Sequence, residues 1–283
     1  SQIEKAHADV RSMIAAQPYL KIASESYERG LFSASETTTI EIPAALFQPV
    51  VTETDEAAAS AEKPKAEPPI RITIRAAIKH GLLPGFAALA AGSETSTIEF
   101  DEPLRAKLAE AFGSDQPFDI RTTYNFVGGG RSTFASKPFK LVLPGDTPES
   151  NANLSGEPIE LVMEFSKGLA DYTVRGTAPG FTLSEADGSG LTVKGMAFDS
   201  QLKRVFPDEP LLYAGSQKVT VAEINVTPKA ADQAEPKQKV ALKELAYDVQ
   251  MPVTGDFMDV IAKLGVNVVQ VGEENYGPAN YDF

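Results

Sequence analysis

Two histidines, His7 and His80, are all the imidazole that this chain of 283 residues offers, and it has no cysteine. Thiolate nucleophiles, disulfides, iron–sulfur clusters and Cys-type zinc sites are thereby excluded. One chain cannot assemble a His-rich metal site either. Carboxylate-only Ca²⁺ or Mg²⁺ binding would need an ordered acidic loop, and no segment has the D-x-[DN]-x-[DN]-G pattern. His80, followed by Gly81, ends an alternating apolar run. A catalytic histidine wants an orienting carboxylate and a nucleophile, but no G-x-S-x-G elbow occurs, so His80 reads as a strand-end hydrogen-bonding residue. Gly128-Gly129-Gly130-Arg131-Ser132 lacks the Lys and the strand-to-helix setting of a phosphate loop and reads as a hairpin turn. Asp187-Gly188-Ser189-Gly190 is a turn as well. Among 39 acidic residues a glycosidase-like pair can always be found, but no spacing singles out two. Glu4, Lys5, Asp9 and Arg11 read as the solvent face of a first helix. No catalytic, cofactor-binding or metal-binding residue is assigned, no cofactor is expected, and the chain is not expected to be an enzyme.

The net charge, 26 − 39 = −13, argues against nucleic acid as a partner, because such binding draws on clustered Lys and Arg. Hydrophobic content of 42% and charged content of 23% are globular values. A chain of this length can bury a proper core in one large domain or two small ones. Nothing approaches 18 consecutive apolar residues, so no transmembrane helix is present in the sequence given.

The elements that must position any site are mostly strands. Helices are expected over Ser1–Gln17, closed by Pro18, over Asp101–Gly113, and over Thr254–Leu264 with Gly265 as the stop. From Leu20 onward the dominant period is two: Ile70, Ile72, Ile74, Ala76 and Ile78 alternate with Arg71, Thr73, Arg75, Ala77 and Lys79. Thr37–Ile42, Thr97–Phe100, Phe118–Phe126, Phe134–Leu143 and Ile159–Phe165 carry the same signal. Thr52 to Pro69 and Pro228 to Lys239 are rich in Ala, Glu, Lys and Pro and read as loop tips between strands.

An offbeat pattern recurs in the second half: Leu191-x-Val193-x-x-Met196-x-Phe198, then Val219-x-Val221-x-x-Ile224-x-Val226, then Val240-x-Leu242-x-x-Leu245-x-Tyr247. Two residues between apolar positions would turn half of each strand to the wrong face unless a β-bulge absorbed one of them. Three such strands side by side would curve a sheet. The expected fold is therefore mainly β (α+β), a long curved antiparallel sheet of bulged hairpins with about three short helices packed on it. Its hollow would be lined by those twelve apolar residues.

Some segments resemble a known family. Ser26-Tyr27-Glu28-Arg29-Gly30-Leu31-Phe32-Ser33 is similar to the S-Y-x-R-G-[LVW]-F-S segment of the YdgA-like bacterial envelope proteins. Ile78-Lys79-His80-Gly81-Leu82-Leu83-Pro84 resembles their H-G-P-x-P element, with Leu82 in place of a Pro. Leu212-Tyr213-Ala214-Gly215 and Tyr276-Gly277-Pro278-Ala279-Asn280-Tyr281-Asp282 resemble their Y-x-G and Y-G-P-A-x-[FY]-D elements. The resemblance implies one N-terminal inner-membrane helix and a large periplasmic β-rich body without established activity. It agrees with two features of the chain: it starts at Ser1 inside a helical pattern, and it stops in what reads as the opening of a strand, Tyr281-Asp282-Phe283. We therefore expect residues 1–18 to be a helix following a removed membrane anchor, and residues 19–283 a periplasmic body truncated at its C-terminus. Three functional readings follow. The first is a non-catalytic envelope module that binds or scaffolds protein partners or pairs with itself as a homodimer. The second is lipid or amphiphile binding in an apolar groove of the sheet. A hydrolase using paired carboxylates ranks third.

Overall fold

The computed structural model describes residues 2–47, 68–80, 90–102, 104–145, 151–206, 208–229 and 238–283. Helix α1 (Gln2–Ala16) leads into β1 (Lys21–Arg29), β2 (Ser33–Ile42), β3 (Ile70–His80) and β4 (Gly92–Phe100). Helix α2 (Leu104–Phe112) precedes β5 (Phe118–Tyr124), β6 (Gly130–Ser136), β7 (Phe139–Leu143), β8 (Ala152–Gly156) and β9 (Glu160–Phe165). Four long strands follow: β10 (Asp171–Glu185), β11 (Gly190–Arg204), β12 (Tyr213–Thr227) and β13 (Val240–Met251). The small hairpin of β14 (Val253–Thr254) and β15 (Phe257–Met258) comes next, then β16 (Ile261–Val271), β17 (Glu274–Tyr276) and β18 (Ala279–Asp282).

The protein is mainly β, as its period-two patterning predicts. One antiparallel sheet runs β1-β2-β3-β4-β5-β6-β9-β10-β11-β12-β13-β16. Strands β17 and β18 share the outer edge of β16, and the β7–β8 hairpin leans on β10. Because neighbours in sequence are mostly neighbours in the sheet, turns fall alternately at its two ends. The β1–β2, β3–β4, β5–β6 and β9–β10 connections share one end.

Helix α1 places Ile3 against Ala34, Ala76, Ile78 and Tyr124, the buried core of the first half. Helix α2 stops where Gly113 takes a left-handed φ of 61° and Ser114 N–H donates to Ala109 O at 3.1 Å. Its Phe112 ring packs against Phe118 and Phe139, each at 5.6 Å. The sheet wraps toward α1. Arg11 Nε lies 3.0 Å from Glu25 Oε2 on β1, while Met13 Sδ lies 3.9 Å from Arg204 Nη2 on β11. Those strands are eight steps apart in the sheet, about 38 Å if it were flat.

Three expectations are corrected. The helix expected over Thr254–Leu264 is absent: the stretch holds part of β14, β15 and the start of β16, and the described residues contain two α-helices. Gly255, at φ +63°, turns the β14–β15 hairpin, and Ile261 to Leu264 pair with β13 from Gln250 to Tyr247. An exposed apolar stripe and a strand pairing with a neighbour compete for the same residues, and the available partner strand decides between them. The single strand expected over Phe134–Leu143 is two, β6 and β7, interrupted at Lys137-Pro138, since Pro cannot donate to the ladder.

The third correction concerns the offbeat pattern. Ladder pairing does lapse there, at Pro179, Gly195, Ala222, Glu244 and Asn267 in one row across five strands. Gly195 and Glu244 adopt positive φ, 63° and 54°. Yet no strand slips against its neighbour. Every strand carries the irregular residue at the same level, so the offsets cancel and register continues unchanged. The two-against-one bulge that the spacing predicts is not formed. A register shift occurs instead at Ile22–Ser24 in β1. The segments Thr52–Pro69 and Pro228–Lys239 lie largely outside the described residues. The strands flanking them pair directly, Ile42 with Ile70 and Val226 with Val240.

Candidate functional site

Alternation on β2 points Ala34, Glu36, Thr38 and Ile40 toward α1, and all four are buried. On β4 the same phase buries Gly92, Glu94 and Ser96, and on β5 Thr122 and Tyr124. Two carboxylates are thus carried into the interior by strand geometry alone. Burying a charge is costly unless it is paired and hydrogen-bonded.

Helix α1 supplies the pairing. His7 Nε2 donates to Glu94 Oε2 at 2.8 Å. His7 Nδ1 lies 2.6 Å from Glu36 Oε2, an ion pair between the protonated ring and the second carboxylate. One turn on, Arg11 Nη1 donates to Glu36 Oε1 at 2.6 Å while its Nε reaches Glu25 at the rim. Glu94 also accepts from Tyr124 OH at 2.6 Å and from Ser96 Oγ at 2.6 Å, and Thr38 Oγ1 donates to Glu36 at 3.2 Å. Two cations face two buried carboxylates, and the cluster is neutral as a whole.

Burial opposes the His7 charge, but the contacts with Glu36 and Glu94 outweigh it and raise the imidazole pKa to about 9. Burial also opposes ionisation of the carboxylates. Here too the partners win: His7 and Arg11 hold Glu36 below its ordinary value, and His7, Ser96 and Tyr124 do so for Glu94. Burial, then the charge of Glu94, pushes the Tyr124 phenol well above its ordinary value, which keeps it a donor. With both ring nitrogens engaged and protonated, His7 has no lone pair to act as a base. The geometry is that of a lock holding α1 to the sheet.

Beside the lock lies a cavity of about 370 Å³. Val10 and Ile14 of α1, Ile74 of β3, Met163 and Phe165 of β9 and Leu169 form apolar walls, and the edge of the charge cluster forms a polar corner. Gly128 and Leu169, from the β5–β6 and β9–β10 connections, also line it. Its size and lining are those of sites that take small apolar or amphiphilic ligands.

The twelve residues expected to line a groove belong to the second half of the sheet. They stand in four rows across β11, β12 and β13: Leu191–Val226–Val240, Val193–Ile224–Leu242, Met196–Val221–Leu245 and Phe198–Val219–Tyr247. None of them lines the cavity under α1; Val193 lines a second hollow beside α2, with Phe112, Phe139 and Phe181. The Gly128–Gly130 stretch is the expected turn: Asn125 Oδ1 accepts from Val127 and Gly129 N–H. Asp187–Gly190 turns β10 into β11, with Gly188 at φ +82°. His80 Nε2 is buried and has no hydrogen-bond partner among the described residues. Tyr213 donates to Leu169 O at 2.8 Å, and a Cβ on Gly215 would lie 2.0 Å from Gln201 O, so the Tyr-x-Gly element is structural.

Sequence reasoning missed the lock, and it set Arg11 on a solvent face where the structure half-buries it. A usable signal existed. His7 shares the apolar stripe of Ile3, Val10 and Ile14, and Glu36 and Glu94 fall on the inward phase of their strands. Among the described residues, no group of three or more His, Asp or Glu is placed to hold a metal ion, and no helix is long and apolar enough to cross a membrane.

The chain belongs to the family described as bacterial protein of unknown function (DUF945), whose model matches residues 1–283. No curated protein and no solved structure matches it.

Proposed function

We propose that the protein is a non-catalytic binding module of the bacterial envelope and that its ligand is an amphiphile. The observation that carries the ligand is the cavity under α1. It is apolar along most of its wall, and the two buried carboxylates at its corner are already paired with His7 and Arg11, with Asp9 as the one further charge on the lining, so an alkyl chain can enter without breaking a buried ion pair. The motifs shared with the YdgA-like proteins support a periplasmic location behind an inner-membrane anchor. A role in docking protein partners, or a second copy of the chain, is the rival reading. It draws on the exposed side chains of the outer edge, Tyr276, Tyr281 and Phe283.

The test is binding of N-phenyl-1-naphthylamine, followed by its own fluorescence in a protein that has no Trp. Native mass spectrometry of protein taken from an envelope extract complements it. Saturable probe binding that weakens at least tenfold in Met163→Trp, which fills the cavity, is the expected result. Binding that Met163→Trp leaves unchanged would place the ligand elsewhere. A ligand-free dimer that takes up no probe would favour the protein-docking reading.

A further inference from the structure

Apolar side chains are exposed at both ends of the sheet, Tyr19, Leu46 and Val142 at one and a more exposed set at the other. At the end that carries the β1–β2 and β5–β6 turns, Leu31 is 83% exposed, Phe32 62%, Phe126 53% and Val127 75%. At the other end the β10–β11 turn is Asp187-Gly188-Ser189, whose Asp caps its own turn through Ser189. The outward posture of the first two turns is built. Gly30 N–H donates to Ser33 O at 2.7 Å and His80 N–H to Phe32 O at 2.9 Å, so the backbone of that turn is held while both side chains face water. In the β5–β6 turn, Asn125 uses one carboxamide oxygen to brace two backbone N–H groups.

Among the described residues, these two apolar pairs stand apart. Their turns are four strand spacings apart, about 19 Å along the sheet, and a protein partner is normally met by a contiguous apolar centre. Separate apolar tips suit a partner that accepts shallow insertion anywhere on its surface. Charge agrees. In a chain of net charge −13, the exposed Lys79 at the end of β3 and Lys167 in the β9–β10 turn stand at this end, where Arg29 adjoins the acidic Glu28 and Lys203 lies opposite Asp171. The more distant β14–β15 turn exposes Phe257 but carries Asp256 and Asp259, so the complementarity is confined to the first half.

We infer that this end of the first half rests on a lipid surface, with Leu31, Phe32, Phe126 and Val127 entering the interface and Lys79 and Lys167 among anionic headgroups. The cavity opens beside it, since Gly128 adjoins Val127 and Leu169 follows Lys167 by two residues. A bilayer would then be the source or destination of the amphiphile. The inference stands apart from the cavity: vesicle binding can succeed where probe binding fails, and the reverse.

The test is flotation of the full chain with vesicles of phosphatidylethanolamine and phosphatidylglycerol. We expect association that falls at least tenfold when Leu31, Phe32, Phe126 and Val127 are each changed to Asp, and severalfold for Lys79→Gln with Lys167→Gln. Val142→Asp, at the other end, should leave it unchanged. A Val127→Trp reporter should shift its emission to the blue on vesicle addition. Wild-type protein that stays with the aqueous phase, or a four-Asp variant that floats as well as wild type with native circular dichroism, would overturn the inference. So would a concentration-dependent dimer dissolved by the same four changes, which would assign the tips to a second copy.

Discussion

Strands β2 and β13 have similar lengths and similar neighbours, yet their burial differs in kind. Along β2, buried residues alternate with exposed or half-buried ones from Ser33 to Ile40. Along β13 both faces are half-buried, and Ala241 is its sole fully buried residue. The difference is α1. It covers one face of β2 to β5 and turns that face into an interior, where a charge must be paired and a methyl group counts. Over β11 to β13 the apolar rows pack chiefly against their own neighbours in the sheet. Cross-strand pairs stabilise such a layer, but they cannot exclude water from both faces. A sheet gains an interior only where something lies on it.

The largest test of this contrast is Glu94→Ala. It removes one of the two buried carboxylates that face His7 and Arg11, together with the acceptor of the Tyr124 hydroxyl, and should cost about 3–5 kcal/mol, read from urea unfolding. Amide exchange should show the loss in α1 and β2 to β5, with β10 to β13 unchanged; an equal loss in both regions would show that they do not differ as described. Next come matched truncations. Ile78→Ala, at 1% exposure, should cost about 2–5 kcal/mol, whereas Leu242→Ala, half-buried in its row, should cost about 1–2 kcal/mol. Similar costs would mean that the second half has a covered face after all.

A pH titration sharpens the comparison further. The raised pKa of His7 means that its stabilisation is full below 6.5 and is lost as pH rises through about 9. The lowered pKa values of Glu36 and Glu94 make their contribution full above 4.5 and lost as pH falls below it. Attachment of α1 should therefore be firmest between these limits and weaken on both sides, whereas exchange in β11 to β13 follows pH far less. A fluorophore on an introduced Val10→Cys would report it, since the chain has no other thiol. The smallest effect is expected for Arg131→Ala. Its partner Glu164 and Arg131 itself are both exposed, so the unfolding midpoint should not move measurably.

Much of the first half was legible in the sequence. Helix α1 ends near Pro18 as its residues predict, and the Ile70 to Ile78 alternation marks β3. The lock was legible only as a hint, His7 on an apolar stripe and two Glu on inward strand phases, because such a Glu looks, residue by residue, like any of the other acidic side chains. Only the approach of His7 and Arg11, with His7 standing 29 and 87 positions before its two carboxylates, identifies Glu36 and Glu94 as buried ions. The Thr254–Leu264 segment misled for a related reason: its apolar spacing satisfies a helix, and the open edge of β13 makes it a strand.

Composition and period, then, determined that this is a cysteine-free, acidic, strand-dominated chain with an opening helix, because those properties are local and repeat every two or four residues. The recurring offbeat also marked the two-residue interval of β11, β12 and β13 within which the long ladders lapse, though the bulge expected there is not formed. What the tertiary structure decided is where there is an inside. Helix α1 could have lain on any apolar stretch of the sheet, and its position over β2 to β5 made Glu36 and Glu94 into buried ions and left a cavity beside them. That choice depends on contacts between residues far apart in the chain, and no local pattern encodes it.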